Sequence, residues 1–126
     1  RASGTILANQ HLIWVSGYEG LRVQTGGLAA LPVGVAPPWT ASIATGSHFL
    51  MIRQGMGKVI TDGAGALAVG DVLVTAASGK VKIQEPTTAT GTLATVQINS
   101  RVGRCRAALA ATADLAGRAY IDCTEN

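Results

Sequence analysis

Two cysteines and two histidines are the residues of this chain whose chemistry suits metal binding or nucleophilic catalysis. A structural zinc site usually takes four such ligands from close pairs. Cys105 and Cys123 lie far from each other and from His11 and His48, so the spacing predicts no metal and no other cofactor. We expect His48, beside Phe49, to be a partly buried structural residue.

The serines and carboxylates do not form a catalytic pattern either. No serine lies in a G-x-S-x-G nucleophile elbow. Asp62 and Asp71 flank a glycine-rich segment, where acidic side chains commonly support turns. A general acid/base pair needs two environments that separate the pKa values, which this pattern does not indicate. We therefore predict that the protein is not an enzyme.

Two glycine-rich segments resemble ligand-binding loops only superficially. The run GAGALAVG at 63–70 lacks the G-x-G-x-x-G spacing, and Gly57-Lys58 lacks both the following Ser or Thr and the earlier Gly of a Walker A loop. The segment 69–73 echoes the x-G-D-x-L strand of lipoyl or biotinyl carriers. A carrier presents its modified lysine at a hairpin tip, and Lys58 is the only residue to consider for that role. A carrier domain is therefore one alternative.

Composition favours an assembled protein. Charged residues make up 13% of the chain and aromatic residues 4%, against 48% hydrophobic residues. A soluble monomer normally carries about a quarter charged residues, so we expect another chain to cover part of the surface, most simply in a homo-oligomer.

The net charge of +3 leaves a basic nucleic-acid-binding β domain as a second alternative. The basic residues are spread along the chain with few aromatic side chains between them, so we expect no direct nucleic-acid contact. Prolines interrupt the longest apolar stretch, at 28–39, and we expect no membrane span.

Glycines and prolines recur every eight to twelve residues, and the segments between them are rich in Val, Ile, Leu and Thr. This pattern predicts an all-β, single-domain β-sandwich or β-barrel-like fold of short antiparallel strands with long loops. The chain does not begin with Met, and its start lacks the order of a signal peptide, so we expect a processed or trimmed chain. We predict an exposed loop at 85–95 and strands at 12–15, 21–25, 33–36, 48–54, 58–61, 71–75, 80–84, 102–109 and 118–123.

The last two predicted strands allow a register to be proposed. If their connection is centred on Asp114, Cys105 faces Cys123 and Arg106 faces Asp122 across an antiparallel hairpin. The cysteines then share an apolar side, as buried thiols or, alternatively, as a disulfide. Arg106 and Asp122 form an exposed ion pair on the other side, worth at most about 1 kcal/mol.

A series of weak motifs, in a fixed order, resembles the capsid decoration (cement, or head-stabilising) proteins of tailed phages. The resemblance covers about residues 31–123, and the chain departs from the family pattern at Arg104-Cys105-Arg106. The motifs are Gly57-Lys58-Val59, Asp62-Gly63, Ala68-Val69-Gly70-Asp71-Val72-Leu73-Val74, Ser78-Gly79-Lys80-Val81, Val102-Gly103-Arg104-Cys105-Arg106-Ala107-Ala108-Leu109 and Gly117-Arg118-Ala119-Tyr120-Ile121.

The resemblance implies a structural protein of the virion, made in the host cytoplasm, that binds the outer surface of the assembled head and stabilises it. It implies the major capsid protein as the partner and a trimer as the favoured oligomer. We divide the chain into an N-terminal arm and first strand at 1–15 and a single β domain at 16–126. Ile6, Leu7 and Trp14 are our predicted capsid contacts on that arm.

Overall fold

The computed structural model describes residues 1–84 and 100–123, and it is built almost entirely of antiparallel β-strands. This confirms the predicted all-β fold class. The one helical element in the described part is a 3-10 turn at Ala77–Gly79, and no helix there is long and apolar enough to cross a membrane. The predicted loop at 85–95 lies outside the described residues. The strands are β1 (Ile6–Leu7), β2 (His11–Trp14), β3 (Val23–Thr25), β4 (Gly34–Val35), β5 (Ser42–Ile43), β6 (Gln54–Ile60), β7 (Val72–Thr75), β8 (Val81–Ile83), β9 (Arg101–Cys105) and β10 (Ala116–Asp122).

These strands form three antiparallel sheets. The largest has the order β6-β10-β9-β7-β8, the second has the order β3-β2-β4, and the third pairs β1 with β5. The two edges of the five-stranded sheet approach each other at one end, where Thr61, just after β6, bridges to Val81 of β8. This single bridge does not close the sheet, so the described strands do not form a closed barrel.

Two clusters of buried side chains form the core. The first lies against the five-stranded sheet and the second lies between the two smaller sheets. Both contain mainly Val, Leu, Ile and Ala, whose burial is the main favourable contribution to folding. The first cluster comprises Val35, Val59, Leu67, Leu73, Val81, Val102, Cys105, Ala119, Ile121 and Cys123. The second comprises Ala2, Ile6, Leu12, Val23, Val33, Ala36 and Ile43, with Trp14, Phe49 and Met51 packed against it.

Backbone hydrogen bonds join the three-stranded sheet to the five-stranded sheet at two places. Val35 of β4 and Ile52 exchange both backbone bonds, at 2.8 and 2.9 Å. At the other place the turn between β7 and β8 docks on the loop after β3, where the amide of Gly79 donates to the carbonyl of Gly26 at 2.8 Å. His11 lies fully buried at this second joint, with its ring packed on Gly26.

The predicted hairpin between 71–75 and 80–84 is confirmed as β7 and β8. Its turn needs two successive residues with positive φ, Ser78 at 57° and Gly79 at 74°. The predicted strand at 48–54 is wrong, because β6 begins only at Gln54. The Gly55-Met56-Gly57 segment suggests a turn in the sequence, yet it lies inside β6. The missing side chain of Gly57 leaves room for Ile52 and Ile121.

The predicted register of the last hairpin is also wrong. β9 and β10 are antiparallel neighbours, but Cys105 lies opposite Ala119 rather than Cys123, and Arg104 lies opposite Tyr120. Arg106 pairs through its backbone with Arg118, so it does not face Asp122. The reason is that the chain leaves the sheet early: Leu109, predicted to continue the strand, exchanges both backbone bonds with Leu67.

The N-terminal segment is part of the fold rather than an arm. Ala2 bridges to Val23, and Ile6 is fully buried in the second cluster. Trp14 is partly buried against the same cluster, whereas Leu7 is 49% exposed. Ile6 therefore cannot contact another protein from this position, and Leu7 is the predicted contact residue that best retains access to a partner.

Candidate functional site

An apolar groove of about 510 Å³ lies beside β5. Its two large exposed apolar side chains, Trp39 at 71% and Leu50 at 81%, are too large and too apolar to be left in water without a free-energy cost. We call this surface the apolar groove; its lining includes Pro37, Trp39, Ser42, His48, Phe49 and Leu50.

The local sequence explains why these side chains point outward. Phe49 and Met51 pack against the second core cluster, so the residue between them in the chain, Leu50, points away from it. Trp39 follows two prolines, whose rings restrict the backbone, and the first of them is buried. The exposure of both residues therefore follows from how their neighbours are anchored.

The groove also borders a strand edge. β5 belongs to a sheet of two strands, so its second edge pairs with no other strand in the described part of the chain. Leu7 lies directly opposite Ser42, one of the groove residues. A partner could therefore bury Trp39 and Leu50 and also add a strand to β5.

A second surface, which we call the basic face, covers the outer side of the five-stranded sheet. It consists of five exposed cations around the partly buried Tyr120, with the exposed carboxylate of Asp122 at its border. A shallow groove of about 390 Å³ runs across part of it, between β7, β9 and β10. The cations are Lys58, Arg101, Arg104, Arg106 and Arg118.

Strand register places three of these cations side by side. Lys58 of β6 lies directly opposite Arg118 of β10, whose carbonyl accepts a hydrogen bond from the amide of Arg106. Neighbouring strands lie about 4.8 Å apart, so the three residues form one row across the sheet.

A β-bulge adds Arg101 to this face. Leu73 of β7 pairs with Gly103 of β9, and the next residue, Val74, pairs with Arg101, so β9 has one residue more than β7 at this point. The extra residue, Val102, turns into the core and is fully buried. Bulges of this kind re-aim side chains. Strict alternation would place Arg101 and Arg104 on opposite sides, so the sequence pattern alone missed this residue.

Two arginines of the basic face have defined positions. The Nη1 atom of Arg104 donates to the carbonyl of Gly70 at 3.2 Å. The guanidinium of Arg106 lies over the ring of Tyr120, 5.9 Å from its centroid. One ion pair, between Lys80 and Asp114, lies outside this face.

The residues considered for chemistry lie apart from one another. Cys105 and Cys123 are both buried free thiols in the first core cluster. Burial raises the pKa of the Cys123 thiol to about 12, and the Asp122 carboxylate adds to this. Lys58 lies within β6 rather than at a hairpin tip, so the structure does not favour a carrier domain.

The prediction that His48 is partly buried is wrong. His48 is exposed at the apolar groove and lies outside any strand, whereas His11 is the buried one. Burial lowers the pKa of His11 from 6.5, and backbone groups of Lys80, Gly27 and Gly79 oppose this only in part. Across residues 1–84 and 100–123, no three His, Cys, Asp or Glu side chains come together in a way that could hold a metal ion.

Comparison with known proteins gives one informative likeness. No protein-family model matches this chain, and no curated protein matches its sequence. Among solved structures, the head fiber gp8.5 N base of bacteriophage phi29 is similar, with a TM-score of 0.66 over 98% of this chain and 90% of that one. The two sequences are 15% identical, so the likeness shows a shared fold.

Proposed function

We propose that this chain is a non-catalytic structural protein of a phage head, located on the outer surface of the capsid. The observation that carries the proposal is the fold shared with a phage head fiber base over 98% of the chain. The resemblance of its ordered motifs to capsid decoration proteins points to the same setting. On this proposal the protein is made in the host cytoplasm, binds the major capsid protein and stabilises the assembled head.

The apolar groove is the surface that we assign to capsid binding. Large aromatic side chains that become fully buried commonly dominate the binding energy of an interface, at about 2 kcal/mol or more each. Trp39 and Leu50 are the large exposed apolar side chains of this groove, and the free edge of β5 can add backbone hydrogen bonds. A protein that binds only assembled capsid subunits stabilises the shell by mass action, without catalysis.

The same proposal includes a homo-oligomer, with a trimer favoured. Its support is the low content of charged residues, 13%, together with large exposed apolar residues outside the groove, such as Leu31 and Val69. Light scattering on the purified protein, at rising concentration, tests this part separately. A monomer at every concentration, both free and on the capsid, contradicts it.

The capsid proposal is tested on purified heads of the phage that encodes this chain. Immunogold electron microscopy should place the label on the exterior of the head. For the binding surface, we compare the double variant Trp39→Ser/Leu50→Ser with Leu21→Ser/Leu28→Ser, which removes similarly exposed apolar side chains elsewhere.

We expect the groove variant to keep its β-sheet circular dichroism spectrum and to bind heads at least about tenfold more weakly. The matched control should bind like the unmodified protein. Unchanged binding by the groove variant contradicts the assignment of the groove, and heads without exterior label contradict the proposed location.

A further inference from the structure

We propose that the basic face is a second binding surface, separate from the apolar groove, which holds an acidic, extended segment of a partner protein. Its cations pair with carboxylates of that segment. This surface does not depend on the capsid proposal, because it lies on a different sheet and its partner is defined by charge.

The arrangement of charge on this face is not explained by folding. Like charges directly opposite each other in neighbouring strands destabilise a sheet. Lys58 and Arg118 are such a pair, and Arg106, just after β9, continues the row. Uncharged residues at these positions would give a more stable sheet, so the row points to a negatively charged partner.

The geometry of the arginines suits carboxylates. Arg101, Arg104 and Arg106 line the same groove of about 390 Å³, and the bulge in β9 is what brings Arg101 into it. Arg104 is held by the carbonyl of Gly70, and Arg106 lies over the ring of Tyr120, so their guanidinium groups have restricted positions. A planar guanidinium can bind a carboxylate through two parallel hydrogen bonds.

The same surface fits a peptide better than a nucleic acid. Proteins that bind single strands stack bases on several aromatic rings, whereas Tyr120 is the aromatic residue among those lining this groove, and Arg106 already lies over its ring.

The test measures binding of a fluorescein-labelled peptide of alternating Glu and Ser by fluorescence anisotropy. The same peptide with Gln in place of each Glu controls for charge, and a labelled DNA duplex tests the competing partner. The variant Arg104→Gln/Arg106→Gln is compared with Arg1→Gln/Arg22→Gln, which lowers the net charge equally but outside the basic face. Amide chemical shifts of the unmodified protein locate the bound peptide independently of any variant.

We expect the Glu peptide to bind, with the largest shifts in β9 and β10, and the Gln peptide not to bind. The variant Arg104→Gln/Arg106→Gln should weaken binding at least about tenfold, and the matched variant should not. Equal weakening by the two variants shows a response to net charge alone and overturns the proposal. Tighter binding of the DNA duplex to this face, or failure of the Glu peptide to bind, also overturns it.

Discussion

The apolar groove and the basic face are built on different kinds of scaffold. The groove rests on the two-residue strands β1 and β5 and on the irregular segments that carry Trp39 and Leu50. The basic face rests on β6 and β10, which pair over seven residues. A long ladder fixes the spacing of the charges, whereas short strands leave the groove more able to adapt. This fold therefore combines a rigid surface with a more adjustable one.

On the rigid side, the largest loss of stability is expected from a substitution at Gly103, where β9 and β10 approach each other closely. A Cβ atom at this position would lie 1.9 Å from the carbonyl oxygen of Tyr120, which is backbone and cannot move aside alone. We expect Gly103→Ala to lower the free energy of unfolding by more than about 3 kcal/mol, measured by urea denaturation.

The matched control for this change is Gly65→Ala. No heavy atom lies within 4 Å of a Cβ atom built at Gly65, so we expect a change within about 0.5 kcal/mol. Similar stability of the two variants would show that β9 and β10 separate easily and that the basic face is not rigid.

On the side of the apolar groove, the second largest effect is expected at Ile6. This side chain is fully buried in the second core cluster, and truncation of a buried Ile costs about 2–5 kcal/mol. We expect Ile6→Ala to fall in that range in urea denaturation, and Leu7→Ala, at a half-exposed neighbour, to cost less than about 1 kcal/mol. Deletion of residues 1–10 should then unfold the protein. An Ile6→Ala variant as stable as Leu7→Ala would restore the interpretation of this segment as an arm.

The strands could be predicted from the sequence wherever hydrophobic alternation and turn residues agree. The hairpin of β7 and β8 is one example, since Val72–Thr75 alternates and Ser78-Gly79 supplies the turn. The sequence predicts two strands where β6 is continuous, because Gly55 and Gly57 suggest a turn, although Gly57 makes room for the side chains of Ile52 and Ile121. This packing involves Ile121, which is distant in the sequence, so no local sequence pattern indicates it.

The candidate site was harder to predict than the fold. Arg104 and Arg106 share a face by simple alternation, but Arg101 joins them through a bulge that strict alternation does not indicate. Trp39 and Leu50 are apolar, and the sequence alone does not show that their neighbours take the buried positions. Even the hairpin register depended on the distant pairing of Leu109 with Leu67.

The joint between the sheets gives a third, pH-dependent effect. Burial lowers the pKa of His11 from 6.5, so as the pH falls below 6.5 the unfolded chain binds a proton that the folded protein does not. We expect the free energy of unfolding to fall by up to about 1.4 kcal/mol for each pH unit below 6.5, until His11 also binds a proton in the folded protein. The loss should disappear in His11→Leu and persist in His48→Gln, which alters an exposed histidine. An unchanged profile in His11→Leu would assign the acid sensitivity to other groups.

The smallest effect concerns the core beneath the basic face and appears in reactivity more than in stability. Burial, with the Asp122 carboxylate, raises the pKa of Cys123 from 9.0 to about 12. The neutral thiol is favoured in the folded state, so the contribution of Cys123 to stability is complete below pH 9 and is lost as the pH rises toward 12.

Only a thiolate attacks a disulfide reagent. In the Cys105→Ala background at pH 8, we expect Cys123 to react with DTNB about a thousandfold more slowly in the folded protein than in urea. Equal rates would mean that the end of β10 opens readily, and the rigid side would then be less rigid than its ladder suggests.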